Sequence, residues 1–175
     1  MRKLKIITAI VFIILMAFTS ITIGKSIYED KEPTLGSFGT INFAGYLFFL
    51  TLPVEVLIPY YLSFDFSFTL IFIIAMITAM LSQMIDYAIG YLVPHSTVKE
   101  MIGEKRYKKS LHQVEKHARR IIFVFNLLPL SSPIVNLAAG VVGFNFKKTM
   151  FYNFLGLSLK YFIIIFAYQS YIGTI

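Results

Sequence analysis

TLPVEVLIPYYL, residues 51–62, is an apolar stretch that carries two prolines, Pro53 and Pro59, and one carboxylate, Glu55. Each proline removes a backbone donor and clashes with the preceding turn, so a straight helix through these residues is unfavourable. A broken segment can lie in a bilayer only where protein or water satisfies the freed backbone groups. The apolar residues 43–62 therefore predict a re-entrant helical hairpin, which enters the membrane and returns to the same side.

A second broken stretch, NLLPLSSPIVNLAAG, covers residues 126–140. Pro129 and Pro133 interrupt it, and Gly140 closes it. The same reasoning predicts a second re-entrant hairpin over residues 121–142, with its prolines as structural breaks. Two such hairpins in one chain are typical of transport proteins rather than of soluble enzymes.

Three apolar runs are long enough to cross a bilayer, which takes about 20 helical residues. They are residues 6–23, 66–93 and 149–172. A cleaved signal peptide is the alternative for the first run. We favour a spanning helix, because the run exceeds the usual apolar core of about 7–15 residues and no small-residue cleavage site follows it.

The basic residues predict the orientation of the chain. They precede the first run and are concentrated in residues 95–120, whereas residues 25–39 contain three acidic side chains and are predicted to be an external loop. Because cytoplasmic connections carry the excess of Lys and Arg, the N-terminus and residues 95–120 are expected in the cytoplasm. The second of these is predicted to be an amphipathic helix at the lipid headgroups of the cell membrane.

A weak internal repeat accompanies this topology. Residues 64–66, Phe-Asp-Phe, recur as residues 144–146, Phe-Asn-Phe, each just before a spanning run. One hairpin would enter from outside and the other from inside, which is the inverted-repeat plan of many transporters. The predicted fold is an all-α polytopic membrane protein, a single domain over residues 1–175. It combines an inverted repeat of two re-entrant helical hairpins, each followed by a transmembrane helix, with an N-terminal transmembrane helix.

Composition excludes several other classes of protein. The chain is 57% hydrophobic and 14% charged, whereas soluble domains are about 25% charged, so much of its surface is expected to face lipid. The net charge of +7 comes from connections between apolar runs, which favours membrane topology over nucleic-acid binding. There is no Cys, and the three His lie in the polar segment at poor spacing for a metal. No Ser–His pair or paired intramembrane aspartates appear, so we expect neither an enzyme nor a cofactor.

Ionisable residues within the apolar runs are the main candidates for function, because charge at membrane depth is costly. Glu55 is predicted to be a protonatable site or a partner for a cation, with capping of a broken helix as the alternative. Lys160 is predicted to attract a lipid phosphate or to neutralise Glu55 or Asp86, with snorkelling to an interface as the alternative. Asp86 is a second candidate for protonation, and Asp65 is expected to be a helix N-cap.

Polar residues around the second break form another candidate group: Asn126, Ser131, Ser132 and Asn136. They can satisfy backbone groups freed by the prolines, or they can line a path for a headgroup phosphate. Arg119 and Arg120 stand at the cytoplasmic approach to this hairpin. They are interpreted either as a topological signal or as groups that gather phosphate. The arginine guanidinium binds phosphate oxygens with better geometry than a lysine amine does.

Three segments resemble motifs of one membrane-protein family. Residues 52–59 resemble its "iPxExxxP" segment, and residues 87–90 resemble its "YxIG" motif. The longest likeness is carried by residues 126–140 together with Phe151, Asn153 and Gly156. In order and spacing, these segments resemble the DedA superfamily, also called VTT or SNARE-associated membrane proteins.

The resemblance implies oppositely entering re-entrant hairpins and a role in moving lipids across the bilayer. Bacterial relatives are associated with recycling the undecaprenyl-phosphate carrier, and eukaryotic ones with phospholipid scrambling. The chain departs from the family where many bacterial members carry arginines, because those positions are Asn126 and Ser132 here. The acidic position before "YxIG" is Gln83, with Asp86 one turn later, so an arginine clamp inside the hairpin is not expected.

The expected function is that of a lipid flippase or scramblase, with Glu55 as a protonation switch and Lys160, Asn126, Ser132 and Asn136 along the headgroup path. The expected partners are membrane lipids, either anionic phospholipid or polyprenyl phosphate, and a homo-oligomer is compatible with the sequence. A proton- or ion-coupled carrier of small solutes is one alternative, since broken helices serve either substrate. A membrane organiser that transports nothing is the other.

Overall fold

The computed structural model of the chain describes residues 33–47, 54–93, 104–128 and 132–172. This part is helical and contains no strand, as the sequence predicts. The elements in chain order are α1 (Leu35–Gly45), a 3₁₀ turn (Val54–Val56), α2 (Leu57–Leu62), α3 (Phe68–Leu92), α4 (Glu104–Leu127), α5 (Ser132–Val141) and α6 (Phe146–Ile172). The predicted first spanning helix, residues 6–23, lies outside the described residues, as do Pro53 and Pro129.

Helices α3 and α6 are long and apolar enough to cross a membrane, and they match the spanning runs predicted at residues 66–93 and 149–172. Helix α6 begins three residues before the predicted start because Asn145 caps it, its Oδ1 accepting from the Lys148 amide at 3.0 Å. Large apolar side chains on both helices are exposed: Phe68, Leu70, Ile73, Ile77, Leu81, Met84 and Tyr91 on α3, and Phe146, Phe151, Phe154, Leu155, Leu159, Phe162, Ile163 and Phe166 on α6. Apolar surface of this extent fits a lipid environment.

Helix α1 corrects one expectation. Residues 25–39 were predicted to be an external loop, but the helix begins at Leu35 with a capping box. The Thr34 side chain accepts from the Ser37 amide at 3.1 Å, and the Ser37 hydroxyl accepts from the Thr34 amide at 3.0 Å. Two backbone donors that the first turn leaves unpaired are thus satisfied, so the helix starts before the continuous apolar run does.

Two of the prolines that the structure describes, Pro59 and Pro133, stand in the first turns of short helices. Pro59 is the third residue of α2, which continues from the 3₁₀ turn, and Pro133 is the second residue of α5. A proline is tolerated there because the first turn has no intrahelical acceptor for the missing donor. The second apolar segment is therefore broken between Leu127 and Ser132, as its prolines predict. The sequence predicts that an amphipathic segment ends at residue 120 and that the second hairpin begins at residue 121. In the structure a single helix, α4, continues across this boundary to Leu127.

Asp65 does not cap α3, contrary to expectation. The N-cap of that helix is Ser67, and Asp65 instead has a positive φ of 60° in the turn after α2. Asp and Asn adopt this left-handed conformation more readily than other residues with a Cβ. The aspartate is therefore suited to the turn itself rather than to the start of the spanning helix.

The helices pack in a crossed pattern. In the first half α1 lies against α3, and in the second half α4 lies against α6. Of the short helices that follow the breaks, α5 packs mainly on α3 of the other half, whereas α2 contacts both α6 of the other half and α3 of its own. The two long helices also contact each other, and the core between them includes Phe38, Tyr61, Ile71, Leu157 and Tyr161.

Two glycines allow α3 and α5 to touch backbone to backbone. A Cβ on Gly90 of α3 would overlap the carbonyl oxygen of Leu137, and a Cβ on Gly140 of α5 would overlap that of Tyr87. The hydroxyl of Tyr87 donates to the carbonyl of Phe144, just beyond the end of α5. Small residues at helix crossings allow this close approach in membranes, where association depends on van der Waals packing.

Candidate functional site

Glu55 and Lys160 form a salt bridge, although 105 residues separate them in the chain. The Lys160 ammonium donates to Glu55 Oε1 at 2.8 Å. Glu55 projects from the 3₁₀ turn that follows the first proline-rich break, and Lys160 lies in the middle of α6. The structure therefore joins the broken segment of the first half to the long helix of the second half through opposite charges.

Two tyrosines complete the surroundings of this pair. The hydroxyl of Tyr46, at the end of α1, donates to Glu55 Oε1 at 3.4 Å. The Lys160 ammonium lies 5.0 Å from the ring centroid of Tyr46 and 5.8 Å from that of Tyr161, which are cation–π distances. The sequence reasoning missed both tyrosines, because their rings meet the lysine only after α1 and α6 have packed.

The salt bridge is largely buried inside the protein, since the side chains of Lys160 and Glu55 are only 4% and 19% exposed. Two opposite charges attract more strongly where the local dielectric constant is low, but each also loses the hydration that it would have in water. Each charge therefore depends on the other. A change that neutralises one member leaves the other in an unfavourable environment.

A cavity of about 270 Å³ lies beside the salt bridge. Its lining combines the two charged side chains with apolar ones: Glu55, Leu127, Lys160, Ile163 and Ile164. Ile163 is half exposed on the outer surface of α6, so the cavity opens sideways, toward the face that carries the exposed apolar residues. The structure thus places a salt bridge beside an otherwise apolar cavity.

A second polar cluster lies in the interior between α3, α4, α5 and α6. It is an amide network formed by Gln83, Asn126, Ser132, Asn136 and Asn153, all of them buried. Asn126 Nδ2 donates to Asn153 Oδ1 at 2.9 Å, and Asn153 Nδ2 donates to Asn136 Oδ1 at 2.6 Å. Gln83 Nε2 donates to Asn126 Oδ1 and, at 3.4 Å, to Ser132 Oγ. The network connects one helix of the first half with all three of the second.

The predicted path residues Asn126, Ser132 and Asn136 are thus brought together, but they hydrogen-bond to protein rather than line the cavity. Asn126 Nδ2 also donates to the Ile122 carbonyl, and Asn136 Nδ2 to the Ser132 carbonyl. Seven residues of α6 separate Asn153 from Lys160, about 10 Å at the helical rise. The network and the salt bridge are therefore two distinct polar regions, and a role of the asparagines in transport stays a prediction.

Removing one amide from this network should destabilise the protein. We expect Asn126→Leu to lower the free energy of unfolding by about 1–3 kcal/mol, because it leaves the Gln83 donor and the Asn153 acceptor without their partner. Thermal unfolding in detergent measures the effect. The matched control is Gln169→Leu, an amide-to-leucine change at an exposed position of α6. Equal unfolding temperatures for the two variants would contradict a stabilising network.

The remaining predicted residues lie away from the salt bridge. Asp86 is fully buried on α3, one turn beyond Gln83. Arg119 and Arg120 are exposed on α4. Gly140 is at the α3–α5 crossing. Within the ranges that the structure describes, no three His, Cys, Asp or Glu side chains come together to hold a metal ion.

The first half contains a smaller polar contact that the sequence reasoning also missed. Asn42 of α1 donates to the Ala75 carbonyl at 3.2 Å and to Thr78 Oγ1 at 2.8 Å, both on α3. Ser82 of α3 donates to the Phe43 carbonyl at 2.6 Å. Thus an asparagine joins α1 to α3, just as Asn126 joins α4 to α6.

Comparison with known proteins adds one finding. The model of the VTT domain family matches residues 43–170, a range that includes Tyr46, the salt bridge and the amide network. No curated protein and no solved structure matches the chain.

Proposed function

Because this chain belongs to the VTT domain family of DedA/SNARE-associated membrane proteins, we propose that it moves lipids across the bilayer as a flippase or scramblase. In this proposal the headgroup passes the Glu55–Lys160 salt bridge, and the acyl chains stay in the bilayer. The observation that carries the proposal is the cavity of about 270 Å³, which has two opposite charges in its wall and opens toward the apolar surface of α6.

The crossed packing supports an inverted repeat. In each half the helix before the break packs on the long helix of its own half, and the helix after the break contacts the long helix of the other half, α5 extensively on α3 and α2 on α6 as well as on α3. A two-fold relation between the halves accounts for this pattern, with the broken segments as re-entrant hairpins that enter from opposite sides. The salt bridge lies where the first broken segment meets α6, which is where such a fold places its substrate site.

Lipid is favoured over a small solute by the direction of the opening. A small-molecule site buries most of its ligand, whereas the wall that Ile163 and Ile164 form in this cavity reaches the outer surface at Ile163. We therefore assign Arg119 and Arg120, exposed on α4, to gathering headgroup phosphate at the cytoplasmic membrane surface. The N-terminus would share that side, in the plasma membrane of the cell.

Filling the cavity should block transport. We expect Ile163→Trp to slow the movement of labelled phosphatidylglycerol and phosphatidylethanolamine across vesicles by about tenfold, because the indole occupies the opening that a headgroup must pass. The matched control is Phe162→Trp, the same new residue on the neighbouring exposed position, which lies outside this cavity and should transport at the wild-type rate.

The outcomes separate the candidate functions. If vesicles with purified wild-type protein move neither lipid faster than empty vesicles do, the lipid-transport proposal is wrong. Uptake of a soluble solute by those same vesicles would then favour a solute carrier, and the absence of both activities would favour a membrane organiser. Equal inhibition by Ile163→Trp and Phe162→Trp would place the lipid path elsewhere on the protein.

A further inference from the structure

We infer that the protein binds a buried water molecule between α1 and α6, held by Asn42, Tyr46 and Tyr161. The inference concerns hydration of the protein interior and does not depend on lipid transport. The water site is distinct from the cavity beside the salt bridge, which other residues line. Its basis is two buried polar atoms, Asn42 Oδ1 and the Tyr161 hydroxyl, that have no hydrogen-bond partner among the residues that the structure describes.

Helix α3 fixes the orientation of the Asn42 amide. Its Nδ2 donates to the Ala75 carbonyl at 3.2 Å and to Thr78 Oγ1 at 2.8 Å. The amide cannot be turned over, because a carbonyl only accepts and the Thr78 hydroxyl already donates to the Ile74 carbonyl at 2.7 Å. Both amide hydrogens are therefore used on α3, and Oδ1 points away from that helix. This oxygen is a buried acceptor that needs a donor from another part of the protein.

Two tyrosine hydroxyls lie near this acceptor. The Tyr161 hydroxyl of α6 is close to the Asn42 amide and to the Tyr46 hydroxyl, but its geometry gives no direct hydrogen bond to either. Tyr161 is fully buried, and Tyr46 is one helical turn from Asn42 on the same face of α1. The Tyr46 hydroxyl is only weakly bonded, because its contact with Glu55 Oε1 is long at 3.4 Å. Three polar groups with incomplete hydrogen bonding thus meet in the interior.

A single water molecule completes the hydrogen bonds of all three groups. It donates to Asn42 Oδ1, accepts from the Tyr161 hydroxyl and shares a third hydrogen bond with the Tyr46 hydroxyl. Buried waters in proteins make about three such bonds, to polar groups that would otherwise be unsatisfied. Because a buried polar atom without a partner is costly, the protein is more stable with the water than without it.

The water connects the salt bridge to α3. Through Tyr46 it reaches Glu55, and through Asn42 it reaches Thr78. A hydrogen-bonded chain then runs from the 3₁₀ turn after the first break, through α1, to α3, with a branch to Tyr161 on α6. Internal water near the salt bridge lessens the cost of keeping its two charges at membrane depth.

The test is X-ray radiolysis of the purified full-length protein in detergent, followed by mass spectrometry. Short exposures make hydroxyl radicals from bound water as well as from bulk water, so a buried side chain is labelled where a bound water touches it. Wild type is compared with Tyr161→Phe, which removes one partner of the water and keeps the ring. Tyr61→Phe is the matched control, because Tyr61 is equally buried and its hydroxyl contacts Ser37 Oγ directly at 2.6 Å.

In wild type we expect Tyr46 and Tyr161 to be labelled about fivefold faster than the fully buried Phe38, after correction for the intrinsic reactivity of each ring. Tyr161→Phe should lower the labelling of Tyr46 to nearly the rate of Phe38. Tyr61→Phe should leave the labelling of Tyr46 and Tyr161 unchanged. The comparison within wild type needs no variant, so it holds even if a variant folds poorly.

Two results would overturn the inference. If Tyr46 and Tyr161 are labelled no faster than Phe38, their hydroxyls pair directly with each other or with Asn42. If Tyr161→Phe leaves the labelling of Tyr46 unchanged, the water that labels Tyr46 lies in the cavity beside the salt bridge instead. Neither result bears on lipid transport, because the labelling is measured without a lipid substrate.

Discussion

Lys160→Met alone should lower the free energy of unfolding by about 3–5 kcal/mol, and adding Glu55→Gln should recover most of that loss. The single change leaves the Glu55 carboxylate without its partner in a site that is only 19% exposed. The double change removes both charges and leaves two neutral side chains of similar volume. Because replacing a whole buried ion pair is often neutral or stabilising, the two substitutions should be strongly non-additive.

Denaturant or thermal unfolding of the four proteins in detergent, wild type and the three variants, gives the coupling free energy directly. The fourth protein is Glu55→Gln alone, which leaves the Lys160 ammonium, the more buried of the two partners, without its carboxylate and should also be destabilised. Additive losses would show that the two side chains do not depend on each other for stability. That result would contradict the salt bridge as described, whatever the protein transports.

Gly140→Leu should prevent normal packing of α5 on α3 and cost about 3 kcal/mol or more, at the upper end of the range for overpacking. The first added carbon would already overlap the Tyr87 carbonyl, and a backbone atom cannot rotate away as a side chain can. Gly90→Leu should be similarly harmful, because its Cβ would overlap the Leu137 carbonyl from the other side of the same crossing.

The control for both is Gly36→Ala in the first turn of α1. The nearest atom to its added Cβ is Thr34 Oγ1 at 3.8 Å, an ordinary contact, and alanine is a better helix former than glycine. This variant should be as stable as wild type or slightly more so. The yield of monodisperse protein and its unfolding temperature in detergent are the measurements. Wild-type stability of Gly140→Leu would mean that the two backbones do not touch.

The long helices could be predicted from the sequence because hydropathy acts over many residues. Residues 66–93 and 149–172 are strongly apolar on average, so single polar positions do not change the prediction. The breaks could be predicted because proline acts locally on the backbone. The start of α1 was missed because the residues before it are polar and suggested a loop. A short capping box at Thr34 and Ser37 starts the helix there nevertheless.

The candidate site was only partly predictable. The cost of a charge in an apolar run singles out Glu55 and Lys160 one at a time, and pairing them was one of several possibilities because nothing local connects positions 105 residues apart. Tyr46 and Tyr161 carry no such signal, since tyrosine is ordinary in a membrane protein. The asparagines around the second break were recognised as polar, but their bonds to Gln83 and Asn153 form only where four helices meet.

The crossed packing has a consequence for the synthesis of the protein. Glu55 reaches the bilayer long before Lys160 has been translated, and α2 has no α6 on which to pack. During that interval the carboxylate lacks its cationic partner and is best satisfied by water or by the insertion machinery. Helix α1 can pack on α3 before the second half is made, but the salt bridge needs both halves and is therefore among the last contacts to form.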